Sequence, residues 1–114
     1  MMKIEQYEIW IADLNPHRGT EAGRLRPVLI IQTNHLNTSH LSTIICPITT
    51  NVQLGSDILR VNIQKGISNL KEDCDIMMDQ IRAIDNKRLI RKVGNLPDDL
   101  IDKVKENIMV VLNL

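Results

Sequence analysis

Arg26 and Thr49 are the two residues of this 114-residue chain whose types and positions best suit chemistry on an anion. Each lies where a predicted strand meets a loop, so neighbouring strands could bring them together on a rigid base. A guanidinium matches phosphate oxygens and stays charged, and a hydroxyl adds a donor or an acceptor. Together they can hold one phosphodiester and stabilise charge on it. The alternative is structural: Arg26 pairs with Glu21 or a carbonyl, and Thr49 merely ends a strand.

The segment that carries Arg26, residues 18–31, joins a polar loop to a buried strand. The loop contains two glycines and two more arginines, Arg18 and Arg24. Pro27 fixes φ and opens a short run of branched aliphatic residues that favours a strand. The glycines do not indicate a nucleotide-binding P-loop, because no Gly-Lys-Ser/Thr sequence follows them. We therefore expect a polar loop whose cations are anchored by a packed strand.

Metal and acid–base candidates elsewhere in the chain are weaker. Asp73, Asp75 and Asp79 are spaced so that they can share one strand face, but no nearby histidine or calcium-loop pattern supports a metal site. We expect a solvated sheet edge there. The three histidines all lie in polar loops, where any of them can act as a general base but most are simply exposed.

The composition restricts how the chain can bind nucleic acid. The sequence has 43% hydrophobic and 25% charged residues, no Phe, one Trp and one Tyr, which argues against aromatic stacking platforms. The formal net charge is zero, whereas a sequence-blind nucleic-acid binder is normally basic. Any phosphate site must therefore be local.

The chain length and the cysteines indicate an ordinary single domain, residues 1–114, that folds without metal or disulfides. Cys46 and Cys74 are the only cysteines and form no CxxC pair, which is typical of a reducing compartment. No signal peptide or apolar run long enough to span a membrane is evident. We expect a cytoplasmic protein.

Short strands dominate the predicted elements. The predicted strands are 7–14, 26–33, 41–49, 57–63, an interrupted 75–85, and a last strand to residue 95 after a helical turn at 86–89. Pro47 cannot donate to a ladder, so we expect it at a sheet edge or a strand end. Because regular βαβ alternation is missing, the pattern predicts a small, mostly antiparallel barrel.

One amphipathic helix is predicted at the C-terminal end. Pro97 suits its first position, and acidic residues follow where they favour the helix dipole. Leu100, Val104, Ile108 and Leu112 recur every fourth residue and define a face that packs on the sheet. The expected fold class is therefore mostly β with one C-terminal helix packed on the barrel.

Three segments of the sequence together resemble one protein family. The segments EIWIADLNPHRGTEAGRLRPVLIIQ, STIICPITTN and DQIRAIDNKRLIRKVGNLPDDLIDKV are similar, in order and over nearly the whole chain, to the MazF/PemK toxin endoribonucleases, in particular the MazF branch. The resemblance implies an SH3-like barrel with a C-terminal helix, a homodimer, and a MazE-like antitoxin as partner. It also implies cleavage of single-stranded RNA, such as mRNA, at short sequence motifs without metal or other cofactor.

The resemblance also assigns roles to residues. In such enzymes the 2′-hydroxyl attacks the adjacent phosphate and leaves a 2′,3′-cyclic phosphate and a 5′-hydroxyl. Arg26 and Thr49 match the catalytic arginine and threonine of the family, the first stabilising charge and the second orienting the phosphate or the 2′-hydroxyl. The RNA-binding residues that we expect are Arg18, Thr20, Glu21, Arg24, Asp79, Gln80 and Arg82.

Two alternatives share the barrel fold: a non-catalytic toxin like the gyrase inhibitors, and a catalytically silent binding module. Neither of them needs the pair Arg26 and Thr49. The gyrase poisons place their function on the terminal helix, and this chain ends Val-Leu-Asn-Leu without a tryptophan there. The sequence therefore favours the ribonuclease.

Overall fold

The computed structural model describes residues 3–16, 19–20, 24–55 and 59–114. Within these ranges the strands are β1 (Glu8–Asp13), β2 (Leu25–Ile30), β3 (Ser42–Thr49), β4 (Arg60–Ile63), β5 (Cys74–Met77), β6 (Arg82–Asp85) and β7 (Leu89–Asn95). The helices are α1 (Asn34–Asn37) and α2 (Asp98–Val111), with short 3-10 turns at Ile67–Asn69, Met78–Gln80 and Asn86–Arg88.

The strands form one antiparallel sheet in the order β4-β5-β3-β2-β1-β7, and β6 pairs with β3 beside β5. The predicted fold class, a small and mostly antiparallel barrel-like sheet with a C-terminal helix, is confirmed. No pairing joins β4 to β7 within the described ranges, so the sheet stays open there. β3 lies at the centre and pairs with three strands, which makes it the rigid base for Thr49.

The structure refines several predicted boundaries. The interrupted strand at 75–85 is two strands, β5 and β6, separated by the turn Met78–Gln80. The turn at 86–89 followed by a strand to residue 95 is confirmed. The strand predicted at 57–63 begins only at Arg60, because Leu59 has a φ of 77°; residues 57 and 58 lie outside the described residues.

The predicted position of Pro47 is wrong. It lies inside the central strand β3, opposite Val28 of β2, and two strand residues follow it. On the other side of β3, the pairing with β6 ends at Ile45 and the pairing with β5 begins at Ile48. Pro47 therefore occupies a gap between two ladders, where a missing N–H costs no ladder bond.

Two apolar clusters bury both faces of β2. Leu29 belongs to the cluster that contains Leu100 and Val104 of α2. Val28 and Ile30 belong to the second cluster, and all three β2 residues are 0% exposed. Burial of each such side chain contributes roughly 1.5–3 kcal/mol. The apolar residues after Pro27 are therefore covered within one copy of the chain, and the cluster that contains α2 covers the face that bears Leu29.

Helix α2 packs through only part of the predicted face. Leu100 and Val104 are buried and Ile108 is half-buried. Leu112 is 53% exposed, so its predicted place on the packed face is wrong, because the helix ends at Val111. Pro97 is the N-cap rather than the first helical residue. No helix in the described part of the chain has the length and apolarity to cross a membrane.

Candidate functional site

Arg26 and Thr49 lie on two strands that pair with each other, β2 and β3. β2 and β3 pair antiparallel, with Val28 opposite Pro47 and Leu29 opposite Cys46. This pairing ends at Val28 and Pro47, and Arg26 and Thr49 each lie two residues beyond that last pair. Both predicted site residues therefore lie toward the same end of this pair of strands.

Arg26 is fixed by its strand and lies in an electropositive place. Its backbone pairs with Ala12 of β1, and its side chain is half-buried. Burial, and then the like charge of Arg24, lower the pKa of Arg26 from its ordinary value. Both effects disfavour the charged form of the guanidinium, and an anion bound against it would favour that form.

Arg24 is held by backbone contacts with the end of β1. Its N–H donates to Asn15 Oδ1 at 2.8 Å, and its carbonyl accepts from the N–H of Leu14 at 2.9 Å. Arg88 secures the same corner by donating to the carbonyl of Asp13 at 3.0 Å and also to that of Asn15. The loop between β1 and β2 is therefore tied down where it re-enters the sheet.

The Thr49 hydroxyl has a defined partner. The N–H of Asn51 donates to Thr49 Oγ1 at 3.1 Å. A hydroxyl has one proton to donate and two lone pairs, so this bond leaves its proton available to a substrate oxygen. Thr49 is half-buried and lies opposite Asp75 of β5.

Asp75 contradicts the prediction of a solvated acidic edge. Its side chain is 1% exposed, and Arg60 Nη1 lies 3.4 Å from its Oδ2. It also accepts from the N–H of Gln53 at 2.8 Å and from Asn62 Nδ2 at 3.1 Å. Spacing alone missed Asp75 and Arg60. The available signal was an acid inside the apolar run CDIMM, since buried carboxylates occur where partners satisfy them.

A hydrogen bond joins two of the predicted RNA-binding residues. Gln80 Nε2 donates to the carbonyl of Thr20 at 3.3 Å, which links the first loop to the turn after β5. Arg82 is half-buried in β6 opposite Ile45 of β3. Of the other predicted residues, Arg24 and Asp79 are exposed, whereas Arg18 and Glu21 lie outside the described residues.

Cysteine and metal chemistry find no support in the geometry. Burial, and then the charge of Asp79, raise the pKa of Cys46 to about 12, so this thiol is no nucleophile at neutral pH. Cys74 is also buried, and burial together with neighbouring acids raises its pKa. Among the described residues, no three His, Cys, Asp or Glu side chains cluster as metal ligands would.

Comparison with known proteins gives one family. Residues 5–112 match the family of PemK-like, MazF-like toxins of type II toxin–antitoxin systems. The chain is 34% identical over 113 residues to Endoribonuclease EndoA of Bacillus subtilis, covering 99% of this chain and 97% of EndoA.

Solved structures show the same fold. MazF of Deinococcus radiodurans superposes with a TM-score of 0.86 over the whole of both chains at 17% identity. Mycobacterium tuberculosis toxin MazF-mt6 superposes with a TM-score of 0.78 at 23% identity, covering 94% of this chain and 97% of that one. The family match spans nearly all of the sequence that forms the site described above. This chain therefore belongs to the family of PemK-like, MazF-like toxins of type II toxin–antitoxin systems.

Proposed function

We propose that this chain is a sequence-specific endoribonuclease toxin that cleaves single-stranded RNA, including mRNA, without a metal ion. The observation that carries the proposal is the pairing of β2 with β3, because Arg26 and Thr49 each lie two residues beyond its last pair, toward the same end of these two strands. The relative that is named an endoribonuclease, which matches 99% of this chain at 34% identity, supports it.

In the proposed reaction the 2′-hydroxyl attacks the adjacent phosphate and the bond to the 5′-oxygen breaks. The products are a 2′,3′-cyclic phosphate and a 5′-hydroxyl. Because the nucleophile already adjoins its target, positioning and charge stabilisation supply most of the catalysis. Arg26 stabilises the charge that builds on the phosphorane. Thr49, whose oxygen accepts from Asn51, donates its proton to a phosphate oxygen.

The proposed RNA groove combines the first loop with the turn after β5. The Gln80–Thr20 hydrogen bond supports this grouping, since it links those two segments directly. Flanking nucleotides contact Arg18, Thr20, Glu21, Arg24, Asp79, Gln80 and Arg82. Sequence preference arises where such side chains hydrogen-bond to unstacked bases. With zero net charge, affinity depends on this local patch and falls with salt.

The proposed partners are a second copy of the chain and a MazE-like antitoxin that blocks the groove. A MazE–MazF complex from Deinococcus radiodurans contains a chain that superposes with a TM-score of 0.80 at 17% identity, covering all of this chain and 99% of that one. The exposed apolar residues at the C-terminal end of α2 supply a surface for a homodimer: Met109, Val110, Leu112 and Leu114. We propose that residues 1–114 act as one domain, on RNA in the cytoplasm.

The test is incubation of the antitoxin-free protein with a long single-stranded RNA in excess EDTA, followed by analysis of the fragment ends. Discrete cuts that leave 2′,3′-cyclic phosphate and 5′-hydroxyl ends are the expected result, and they also map the recognition motif. Intact RNA from folded protein would overturn the proposal, and a gyrase-inhibition assay would then test the non-catalytic alternative.

A further inference from the structure

We propose that Arg60 and Asp75 are positioning residues that hold the Thr49 hydroxyl in its reactive orientation. The inference rests on the proposed ribonuclease function and extends it to two residues outside the predicted catalytic and RNA-binding set. It follows from a continuous set of hydrogen bonds that begins at a buried carboxylate and ends at Thr49 Oγ1.

The buried end of this network is Asp75. Its side chain is 1% exposed, and within the described part of the chain it accepts from three donors. Oδ1 accepts from Asn62 Nδ2 at 3.1 Å, while Oδ2 accepts from the N–H of Gln53 at 2.8 Å and faces Arg60 Nη1 at 3.4 Å. A desolvated carboxylate needs these donors, so the segment that contributes the Gln53 N–H is held against β5.

Arg60 carries the constraint from Asp75 to the Thr49 turn. Its Nη1 also donates to the carbonyl of Asn51 at 3.1 Å, and its side chain is only 15% exposed. The N–H of the same Asn51 donates to Thr49 Oγ1 at 3.1 Å. The Asn51 residue is therefore fixed on its carbonyl side by a guanidinium and presents its N–H to the hydroxyl.

Two segments of one short turn are thus attached to one ion pair. Gln53 is held by Asp75, and Asn51 is held by Arg60. Thr49 also lies opposite Asp75 in the pairing of β3 with β5, so backbone and side chains fix the same end of the strand. Without the guanidinium, the Asn51 N–H and the hydroxyl bonded to it lose a fixed direction. A misplacement of about 1 Å can cost on the order of 100-fold in rate.

The test separates the cleavage rate from RNA binding. The wild-type cut sites in a long RNA are mapped first, and a short oligonucleotide around one site is made with ribose and with 2′-deoxyribose at the cleaved position. Single-turnover cleavage of the ribose form gives the rate, and titration of the uncleavable deoxy form gives Kd. Arg60→Met keeps the aliphatic stem and removes only the guanidinium.

The expected result is a rate that falls roughly 10- to 100-fold with Kd within about twofold of wild type. Arg60→Lys recovers part of the rate, since an ammonium still carries donors and charge. Lys92→Met is the matched control, because Lys92 Nζ lies 2.9 Å from Oε2 of the buried Glu8. Lys92 belongs to β7 and Glu8 to β1, at the other end of the strand order from β5. The substitution removes a cation from a buried carboxylate and should leave both rate and Kd unchanged.

Thermal unfolding of each variant establishes that it is folded at the assay temperature. If Arg60→Met is unfolded at that temperature, Asp75→Asn replaces it in the test and should show the same lowered cleavage rate with unchanged Kd. Wild-type cleavage rates in both Arg60→Met and Asp75→Asn overturn the positioning role. So does a rate loss that is accompanied by an equal loss of RNA affinity, or an equal rate loss in Lys92→Met. Those outcomes leave the ribonuclease intact. Intact RNA with wild-type protein instead overturns the proposed function itself.

Discussion

Removal of the Arg26 guanidinium should abolish most RNA cleavage while the fold survives. Arg26 is the second residue of β2, and three later residues of that strand, Val28, Leu29 and Ile30, are completely buried and hold the backbone in place. The side chain itself is half-buried. Arg26→Ala therefore deletes the proposed charge stabiliser without opening a cavity in either apolar cluster.

The magnitude follows from the contacts that are lost. Loss of one preorganised donor to a developing oxyanion costs about 100- to 1,000-fold in kcat, and a guanidinium offers a fork of donors. We expect a loss at or above the upper figure. Stability should change by only about 1 kcal/mol, the net value of one hydrogen bond, which corresponds to a melting temperature lower by roughly 4–8 °C for a domain of about this size.

The assay is single-turnover cleavage of the mapped oligonucleotide, with thermal unfolding measured in parallel. Arg26→Lys should recover little activity, because an ammonium keeps the charge but not the planar fork. Arg91→Ala is the control for a lost positive charge, since Arg91 is exposed on β7. If folded Arg26→Ala cuts RNA at the wild-type rate, Arg26 has no part in the mechanism.

Three further predictions concern the site and its scaffold. Thr49→Val should lower single-turnover cleavage by about 100-fold or more at unchanged Kd, since only the hydroxyl is lost; an unchanged rate excludes its role. Gly94→Ala should destabilise the fold by about 1–3 kcal/mol in thermal unfolding, because the new Cβ would lie 2.5 Å from the carbonyl oxygen of Ser68. Glu8→Gln should be less stable than wild type at pH 7, and the difference should vanish as pH falls through the lowered pKa of Glu8; a difference independent of pH contradicts the reasoning.

The sign of the Glu8 prediction follows from its contacts. Burial raises the pKa of Glu8, but hydrogen bonds from Trp10, Lys92 and the backbone of Glu5, together with the charge of Lys92, outweigh it and lower the pKa overall. A carboxylate whose pKa is lowered by folding stabilises the fold at pH values above its ordinary pKa. This stabilisation is lost at pH values below the lowered, folded-state pKa. The contribution is therefore present at neutral pH and disappears as acid protonates the carboxylate.

The sequence determined the fold class, and it predicts a catalytic pair whose roles the experiments above test. Three local signals predict elements that are present in the structure. They are the alternation of apolar and polar residues in the strands, the apolar residue at every fourth position from Leu100 to Val104, and the aliphatic run after Pro27. The motifs that resemble the MazF/PemK family run through nearly the whole chain, and this resemblance predicts the catalytic roles of Arg26 and Thr49. Local pattern suffices for these because each depends on neighbours in sequence.

Only the tertiary structure decided what depends on distant partners. Pro47 is tolerated in a central strand because two separate ladders end on either side of it. Leu112 is exposed because the helix stops one residue earlier, although the spacing continues. The sequence predicts a surface position for Asp75. In the structure its carboxylate is bonded by Arg60, which is 15 residues away in the chain, and by Gln53, which is 22 residues away. Burial of a charge is settled by which donors the fold brings to it, and that information is not local in the chain.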